Sequence, residues 1–316
     1  MEFVCCPVCG ANEPEPAHQL HDWLHGLGGP FSMVRCRSCR MLYLTPRPDQ
    51  DELASYYPED YAAYSREAPA SGPWWRRRLL GYGITKRCRA VASLAQGGRL
   101  LDVGCATGEF AARMRRWGDW TVEGLELGSH AAALAQERYG LAVHVGAVDH
   151  VDLARASFDV ITLWDVLEHL PHPPASLDRM IGWLRPGGWL VIRTPDSGSI
   201  YGRLWGRYWA GLDAPRHMVV FDHAGLLDLL RRKGLAVSNL AMRSGSHAVT
   251  VLSLRFMVRD RGLSLRWSRA LGHPLAQVLT SPLFWLLDRL GGPWSVVAAR
   301  KPASVERQTH PGPGER

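Results

Sequence analysis

From Arg99 onward, short β-type runs alternate with helix-length segments, a pattern that restricts this chain to a parallel sheet covered by helices. RLLDVG (99–104) is an apolar strand ending in Gly, and EFAARMRRW (109–117) follows with helical spacing. TVEGLEL (121–127) is the second strand, SHAAALAQERYG (129–140) a helix closed by Gly, and AVHVG (142–146) the third strand. FDVITLWDV (158–166) is the fourth; ASLDRMIGWLRPGG (175–188) reads as a helix with a Gly stop, and WLVIRTP (189–195) as the fifth strand. HAGLLDLLRRKG (223–234) is an amphipathic helix, with strands six and seven expected in 235–245 and 293–302. The fold expected is α/β, a doubly wound, Rossmann-like seven-stranded sheet. The span 246–292 is longer than a hairpin needs and is expected to hold an inserted helical segment before the last strand.

Ahead of that frame lie two compositionally distinct regions. Residues 1–48 carry five of the seven cysteines, and 49–98 form a linker and a basic helical segment. The sheet region extends over 99–302, and the Pro- and Gly-rich tail 303–316 is expected to be disordered. With 46% apolar and 21% charged residues the composition is globular, and no apolar run is long enough to span a bilayer. The start, MEFVCCPVCG, has no basic leader with an apolar core, so a cytoplasmic, reducing setting is expected and the cysteines read as ligands or thiols. Of the net charge of +7, the run WWRRRLLGYGITKRCR (74–89) contributes six Lys/Arg and no acid. Such a face suits phosphates of nucleic acid, a nucleotide-linked substrate or an anionic membrane. A solvated helix is the plainer reading, because no longer nucleic-acid motif continues it.

Cys6-x2-Cys9 and Cys36-x2-Cys39 are two metal-knuckle pairs separated by 26 residues. Two such turns on one Zn2+ supply a closed tetrahedral set and order a segment too small for its own core. Four thiolates leave no open position, so the site is structural. Cys5 is a spare that sits where it can exchange with Cys6.

LLDVGCATGEF (100–110) joins a strand to a helix, and Gly104, Ala106 and Gly108 let backbone approach a ligand closely. The spacing is too short for a pyrophosphate loop, and the Gly-Lys-Ser/Thr of a P-loop is absent. Glu126, 24 residues after Asp102, ends the next strand, where an acid accepts hydrogen bonds from ribose hydroxyls. Together they imply an adenosyl ligand across the strand ends.

DVGCATG, the acid closing the next strand, and FDVITLWDVLEHL resemble the motifs of class I S-adenosylmethionine-dependent methyltransferases over about residues 90–302. More narrowly, the Cys-x2-Cys pairs followed by TPRP and SYYPEDY resemble zinc-ribbon-bearing methyltransferases associated with sugar and polysaccharide biosynthesis. That resemblance implies S-adenosyl-L-methionine as cofactor, with Asp102, Gly104, Cys105, Ala106 and Gly108 against its methionine part and Glu126 on its ribose. It places Ala147, Val148 and Asp149 near the adenine, and Trp164 and Asp165 along the cofactor. The second Rossmann-like region of longer sugar C-methyltransferases is missing.

Methyl transfer from a sulfonium needs an oriented acceptor and, for a hydroxyl or carbon acid, a base. Glu168 and His169 follow the fourth strand, whose end faces the cofactor in a doubly wound sheet. His169 is the expected general base, with Glu168 orienting it or binding the acceptor. GLDAPRHMVVFDHAG (211–225) adds Arg216 and His217 over the same sheet edge, in a string that looks like the PRH segment of related methyltransferases. Asp165, Glu168, His169 and His217 also resemble the divalent-metal set of small-RNA 2′-O-methyltransferases. The aromatic loop YGRLWGRYWAG (201–211) either stacks on a sugar acceptor or packs its rings inward. The expected function is methyl transfer to a small-molecule or saccharide-linked acceptor. The alternatives are an RNA methyltransferase, metal-assisted or not, and a non-catalytic cofactor-binding scaffold.

Overall fold

A computed structural model describes residues 1–49, 52–53, 55–57, 74–240, 242, 246–263 and 274–303. Most of SYYPEDY and the tail beyond 303 lie outside the described residues. The elements in chain order are β1 (Pro14–Leu20), β2 (Phe31–Cys36), β3 (Leu42–Leu44), α1 (Trp74–Ala92), β4 (Gly97–Val103), α2 (Glu109–Met114), β5 (Asp119–Glu126), α3 (Ser129–Tyr139), β6 (Ala142–Val145) and β7 (Phe158–Trp164). They continue with α4 (Pro173–Trp183), β8 (Leu184–Pro195), α5 (Ile200–Trp205), β9 (Val219–Val220), α6 (His223–Arg232), β10 (Ala236–Asn239), α7 (Ser246–Asp260), α8 (Pro274–Gly291) and β11 (Trp294–Arg300).

Seven strands form the main sheet in the order β6-β5-β4-β7-β8-β11-β10. β4 is parallel to β5 and β7, β5 to β6, and β7 to β8, whereas β11 runs antiparallel to both its neighbours. Alternation along the central strands sends Leu101, Val103, Ile161, Leu163 and Ile192 into one core layer and Leu100, Val160 and Val191 into the other. Each such side chain contributes about 1.5–3 kcal/mol on burial. From β4 the chain turns first toward β5 and later returns on the other side as β7. That reversal makes the C-terminal ends of β4, β5 and β7 the crevice of the fold.

The sequence-based helix over 175–188 is shorter in the structure: α4 stops at Trp183, and Leu184–Gly188 belongs to β8. Leu184 already pairs with Phe158, and the register shifts before Val160 pairs with Trp189. Pro186 has no N–H to continue a helix and Gly187 takes φ +79°, so the Pro-Gly-Gly string serves a bulge.

The N-terminal residues form a second, antiparallel sheet, β1-β2-β3-β9, whose last strand comes from the far side of the chain. Leu42 pairs with Val220 and Tyr43 with Val219. Cys6, Cys36, Met41 and Tyr43 share a core layer with Leu101, Val103 and Phe221. The cysteine-bearing segment is thus tied to the far half of the chain by the backbone hydrogen bonds of β9 and to the larger sheet by common core.

The insertion holds the two helices α7 and α8, with Pro274 opening α8 and Pro282 inside it. Leu287 packs toward the cluster containing Tyr201, Trp209 and Leu212, while Leu279, Leu283 and Leu286 are exposed. Among the described leucines of α8, core packing therefore accounts for Leu287 and not for the other three. No described helix is long and apolar enough to cross a membrane.

Candidate active site

Between β4 and α2 the backbone turns through three left-handed residues, Gly104 (φ +68°), Ala106 (φ +46°) and Gly108 (φ +81°). A Cβ on Gly104 would lie 2.5 Å from Val166 Cγ2, and one on Gly108 2.9 Å from Ala135 Cβ. Only glycine meets both the dihedral and the close approach. Ala106 bears its positive φ because its N–H donates to Glu126 Oε2 at 2.8 Å. The other Glu126 oxygen accepts from Gly128 N at 2.9 Å, and burial pushes the carboxyl above its ordinary range. Glu126 thus braces the glycine loop as well as closing β5.

Asp102 is buried within β4: Thr162 Oγ1 on β7 donates to it at 2.6 Å, and burial raises its pKa to about 7. Cys105 is likewise a core residue, its sulfur packed beside Gly124, so only its backbone lines the loop. Val148 is buried, and its carbonyl accepts from Arg179 Nε at 2.9 Å. Trp164 stands edge-on to Phe110, with the Arg87 guanidinium 5.2 Å from its ring.

Asp165 has φ +61° and is ion-paired to Arg193 and to Arg87. Burial opposes its charge, but the two guanidinium groups hold its carboxyl below the usual range. It therefore parts company with Glu168, His169 and His217, and the four-residue metal set suggested by the sequence is reduced to three. Arg87, from the basic run, is turned inward onto Asp165 and is not part of a solvated face.

Glu168 and His169 lie in a single 3₁₀ turn, Leu167–His169, directly after β7. Glu168 is fully buried; Thr194 Oγ1 donates to its Oε2 at 2.9 Å, while Oε1 has no partner. Burial and then the Asp165 charge raise the Glu168 pKa to about 8. The Arg216 carbonyl lies 2.9 Å from His169 Nδ1, with the Tyr57 hydroxyl 3.1 Å away. A carbonyl only accepts, so Nδ1 carries the proton and Nε2 keeps its lone pair. His217 is fixed in the same way by Gly211 O, 2.9 Å from its Nδ1. The two rings meet edge to face with centroids 4.6 Å apart. Burial, then the neighbouring His217, brings the His169 pKa down to about 3, and burial lowers His217 too. Both rings are neutral in water near pH 7, which suits proton acceptance or metal ligation.

The aromatic loop packs inward: Tyr201, Tyr208 and Trp209 are buried, and Arg207 pairs with Asp260 at 2.8 Å. Its rings therefore build core under α7 and do not form a stacking platform. Tyr57, Thr194 and Asp22 belong to this neighbourhood but carry no local sequence signal.

At the other end of the second sheet, Cys6, Cys9, Cys36 and Cys39 bring their sulfurs within 4.8 Å of one another. Cys6 and Cys39 are 3.5 Å apart, and Cys9 and Cys36 3.6 Å. A tetrahedral zinc with Zn–S bonds of about 2.3 Å needs sulfurs about 3.8 Å apart, so the set fits. The two knuckles repeat one another: Gly10 N donates to Cys6 O and Arg40 N to Cys36 O, with positive φ at both Gly10 and Arg40. Cys5 is exposed and outside the cluster.

A glycine loop and a strand-end acid at the switch point of a seven-stranded sheet with one antiparallel strand are the marks of a methyltransferase. The family described as "Methyltransferase domain" matches residues 75–240, more than half the chain, and the chain belongs to it as an S-adenosylmethionine-dependent enzyme. A ubiquinone biosynthesis O-methyltransferase of Cereibacter sphaeroides is 31% identical over 189 residues, covering 57% of this chain and 75% of the relative. One from Paracidovorax citrulli is 28% identical over 184 residues, covering 50% and 76%. Phosphoethanolamine N-methyltransferase 2 of Haemonchus contortus shares the fold with a TM-score of 0.51 and 19% identity, over 83% of this chain and 62% of that one.

Proposed function

We propose that the enzyme transfers the S-adenosylmethionine methyl group to a hydroxyl of a small-molecule or saccharide-linked acceptor, with His169 taking the hydroxyl proton. The observation that carries this reading is the pair of neutral imidazoles, His169 after β7 and His217 before β9, each with Nδ1–H committed to a backbone carbonyl and Nε2 left as a base. A pKa of about 3 does not disqualify His169. As the oxygen attacks the methyl carbon it acquires positive charge, and a protonated ether is far more acidic than an imidazolium. The proton therefore moves downhill while the neutral thioether leaves. His217 and Glu168 shape the acceptor pocket, Glu168 through its unpartnered Oε1. A hydroxyl acceptor agrees with relatives named as O-methyltransferases. The saccharide element rests on the Cys-x2-Cys, TPRP and SYYPEDY resemblance.

The cofactor site in this reading is the glycine loop with Glu126, Val148, Trp164 and Asp165, and Cys6, Cys9, Cys36 and Cys39 hold a structural zinc. Glu126→Gln puts an amide N–H against one of the two backbone N–H groups that the carboxylate now accepts from. S-adenosylmethionine affinity by calorimetry is expected to weaken about tenfold to a hundredfold. An unchanged Kd would remove Glu126 from the cofactor site. For the acceptor, the purified enzyme is incubated with methyl-labelled S-adenosylmethionine and fractionated cell extract. Label in a polar small-molecule or glycan-linked fraction is expected; label in RNA or protein alone would overturn the acceptor class.

One observation favours a second reading. Glu168, His169 and His217 each offer a ligand atom within 4.8 Å of the others, which fits a divalent cation acidifying the hydroxyl directly. Metal analysis after zinc is accounted for separates the two: a second equivalent lost in His217→Ala supports the cation, and its absence leaves the base.

A further inference from the structure

Arg216 is completely buried, and every one of its five guanidinium protons has an acceptor. Nε donates to Asp213 Oδ2 at 2.9 Å, and Nη2 to Asp213 Oδ1 and Asp22 Oδ1, both at 2.7 Å. Nη1 donates to Asp22 Oδ2 at 3.3 Å and to the Tyr56 carbonyl at 3.1 Å. Asp22, also buried, accepts the backbone N–H of His25 and Leu27 as well. One guanidinium thus ties the turn after β1 and the Tyr56 backbone to the loop that precedes β9.

That loop is the one that sets both imidazoles. The carbonyl of Arg216 itself receives His169 Nδ1–H, and His217 N donates to Asp213 O at 3.0 Å. Met218 N donates to Glu168 O at 2.9 Å and Leu44 N to Met218 O at 3.0 Å. We propose that Asp22, in the cysteine-bearing N-terminal segment, is a positioning residue for methyl transfer: through Arg216 it fixes the carbonyl that selects the tautomer and angle of His169. The inference rests on the reading of His169 and His217 as the acceptor-side pair. The N-terminal segment is then part of the catalytic apparatus, although it contributes no group to the reacting atoms.

Two acids face one guanidinium here, so removing one charge leaves Arg216 paired with Asp213. Asp22→Asn accordingly keeps a neutral pair but sets an amide N–H against a guanidinium N–H. In the intact chain, Asp22→Asn is expected to lower the melting temperature modestly and to keep its S-adenosylmethionine affinity. Its kcat on the labelled acceptor fraction should fall about tenfold to a hundredfold with KM little changed. Asp22→Glu, which restores the carboxylate, should recover part of the loss. Nitrogen-15 imidazole spectra of the protein without acceptor should show His169 as a single Nδ1–H tautomer in the wild type and as a mixture in Asp22→Asn. Because that spectrum needs no acceptor, a wrong acceptor class leaves this test standing. Arg216→Lys provides a second variant, keeping the charge but losing the contact with Tyr56, and is expected to show the same split. Wild-type turnover with an unchanged His169 spectrum would overturn the proposal. So would a parallel fall in melting temperature, cofactor affinity and kcat in both variants, or failure of both to fold, since those outcomes assign the cluster to stability alone.

Discussion

His169→Ala is expected to bind S-adenosylmethionine as tightly as the wild type and to transfer its methyl group about a hundredfold to ten-thousandfold more slowly. In the proposed site the cofactor is held by the glycine loop, Glu126, Val148, Trp164 and Asp165, whereas the His169 ring hydrogen-bonds toward the Arg216 loop. Cutting the imidazole therefore spares the cofactor and removes the proton acceptor. Alanine also strips the Arg216 carbonyl of its N–H donor, so a drop in turnover by itself could report a displaced loop. His169→Asn separates the two effects. Its side-chain amide N–H stands where Nδ1–H stood and retains the bond to Arg216 O, but nothing replaces Nε2. If the far nitrogen is the base, the Asn variant is as slow as the Ala variant while its melting temperature stays with the wild type. An Asn variant that turns over at the wild-type rate would remove His169 from proton transfer and leave it as a structural ring.

Much of this arrangement could be read along the chain, because the parts that were legible are local. Strand and helix follow from apolar spacing, and Gly104, Ala106 and Gly108 mark a loop that needs left-handed backbone and little bulk. The acid at 126 and the Glu-His after the fourth strand stand at strand ends, where the doubly wound topology collects ligands. What escaped is nonlocal. Asp22 finds Arg216 across 194 positions, and nothing in HDW announces a buried ion pair. β9 is two residues long, too short for any periodicity, yet it brings the far side of the chain into the N-terminal sheet. The Pro-Gly-Gly string had two physical uses, a helix stop or a strand bulge, and pairing with Phe158 decided for the bulge. The resemblance places Asp102 and Asp165 along the cofactor, but nothing in the sequence around them names the partners of their side chains. Those partners are Thr162 and two arginines, supplied by other elements of the fold.

Removal of the zinc proposed for the cysteine cluster should have the largest effect on the protein as a whole. In a small metal domain the bound ion accounts for about 10–16 kcal/mol of apparent binding free energy, which is folding free energy when the apo form has no preformed site. Here the cost of losing it is shared, because Cys6 and Cys36 sit in the same core layer as Leu101, Val103 and Phe221. Without a cation, burial pushes the Cys6 thiol up to about 11 and Cys39 higher still; a divalent ion among the sulfurs reverses that and holds them as thiolates. Because the four sulfurs stand at the spacing a tetrahedral zinc needs, the purified enzyme is expected to carry zinc on them. Cys36→Ser, or stripping with a thiol-competitive chelator, should lower the melting temperature by about 10 °C or more. The order of losses is informative as well. β3 holds β9, and the turn after β1 holds Arg216, so disordering the segment reaches the imidazoles before it reaches the glycine loop. Mild stripping should abolish methyl transfer while S-adenosylmethionine still binds, and readdition of Zn2+ should restore both stability and turnover. Metal-free protein with the melting temperature and turnover of the wild type would show that the four cysteines are reduced thiols packed in a sheet that needs no ion.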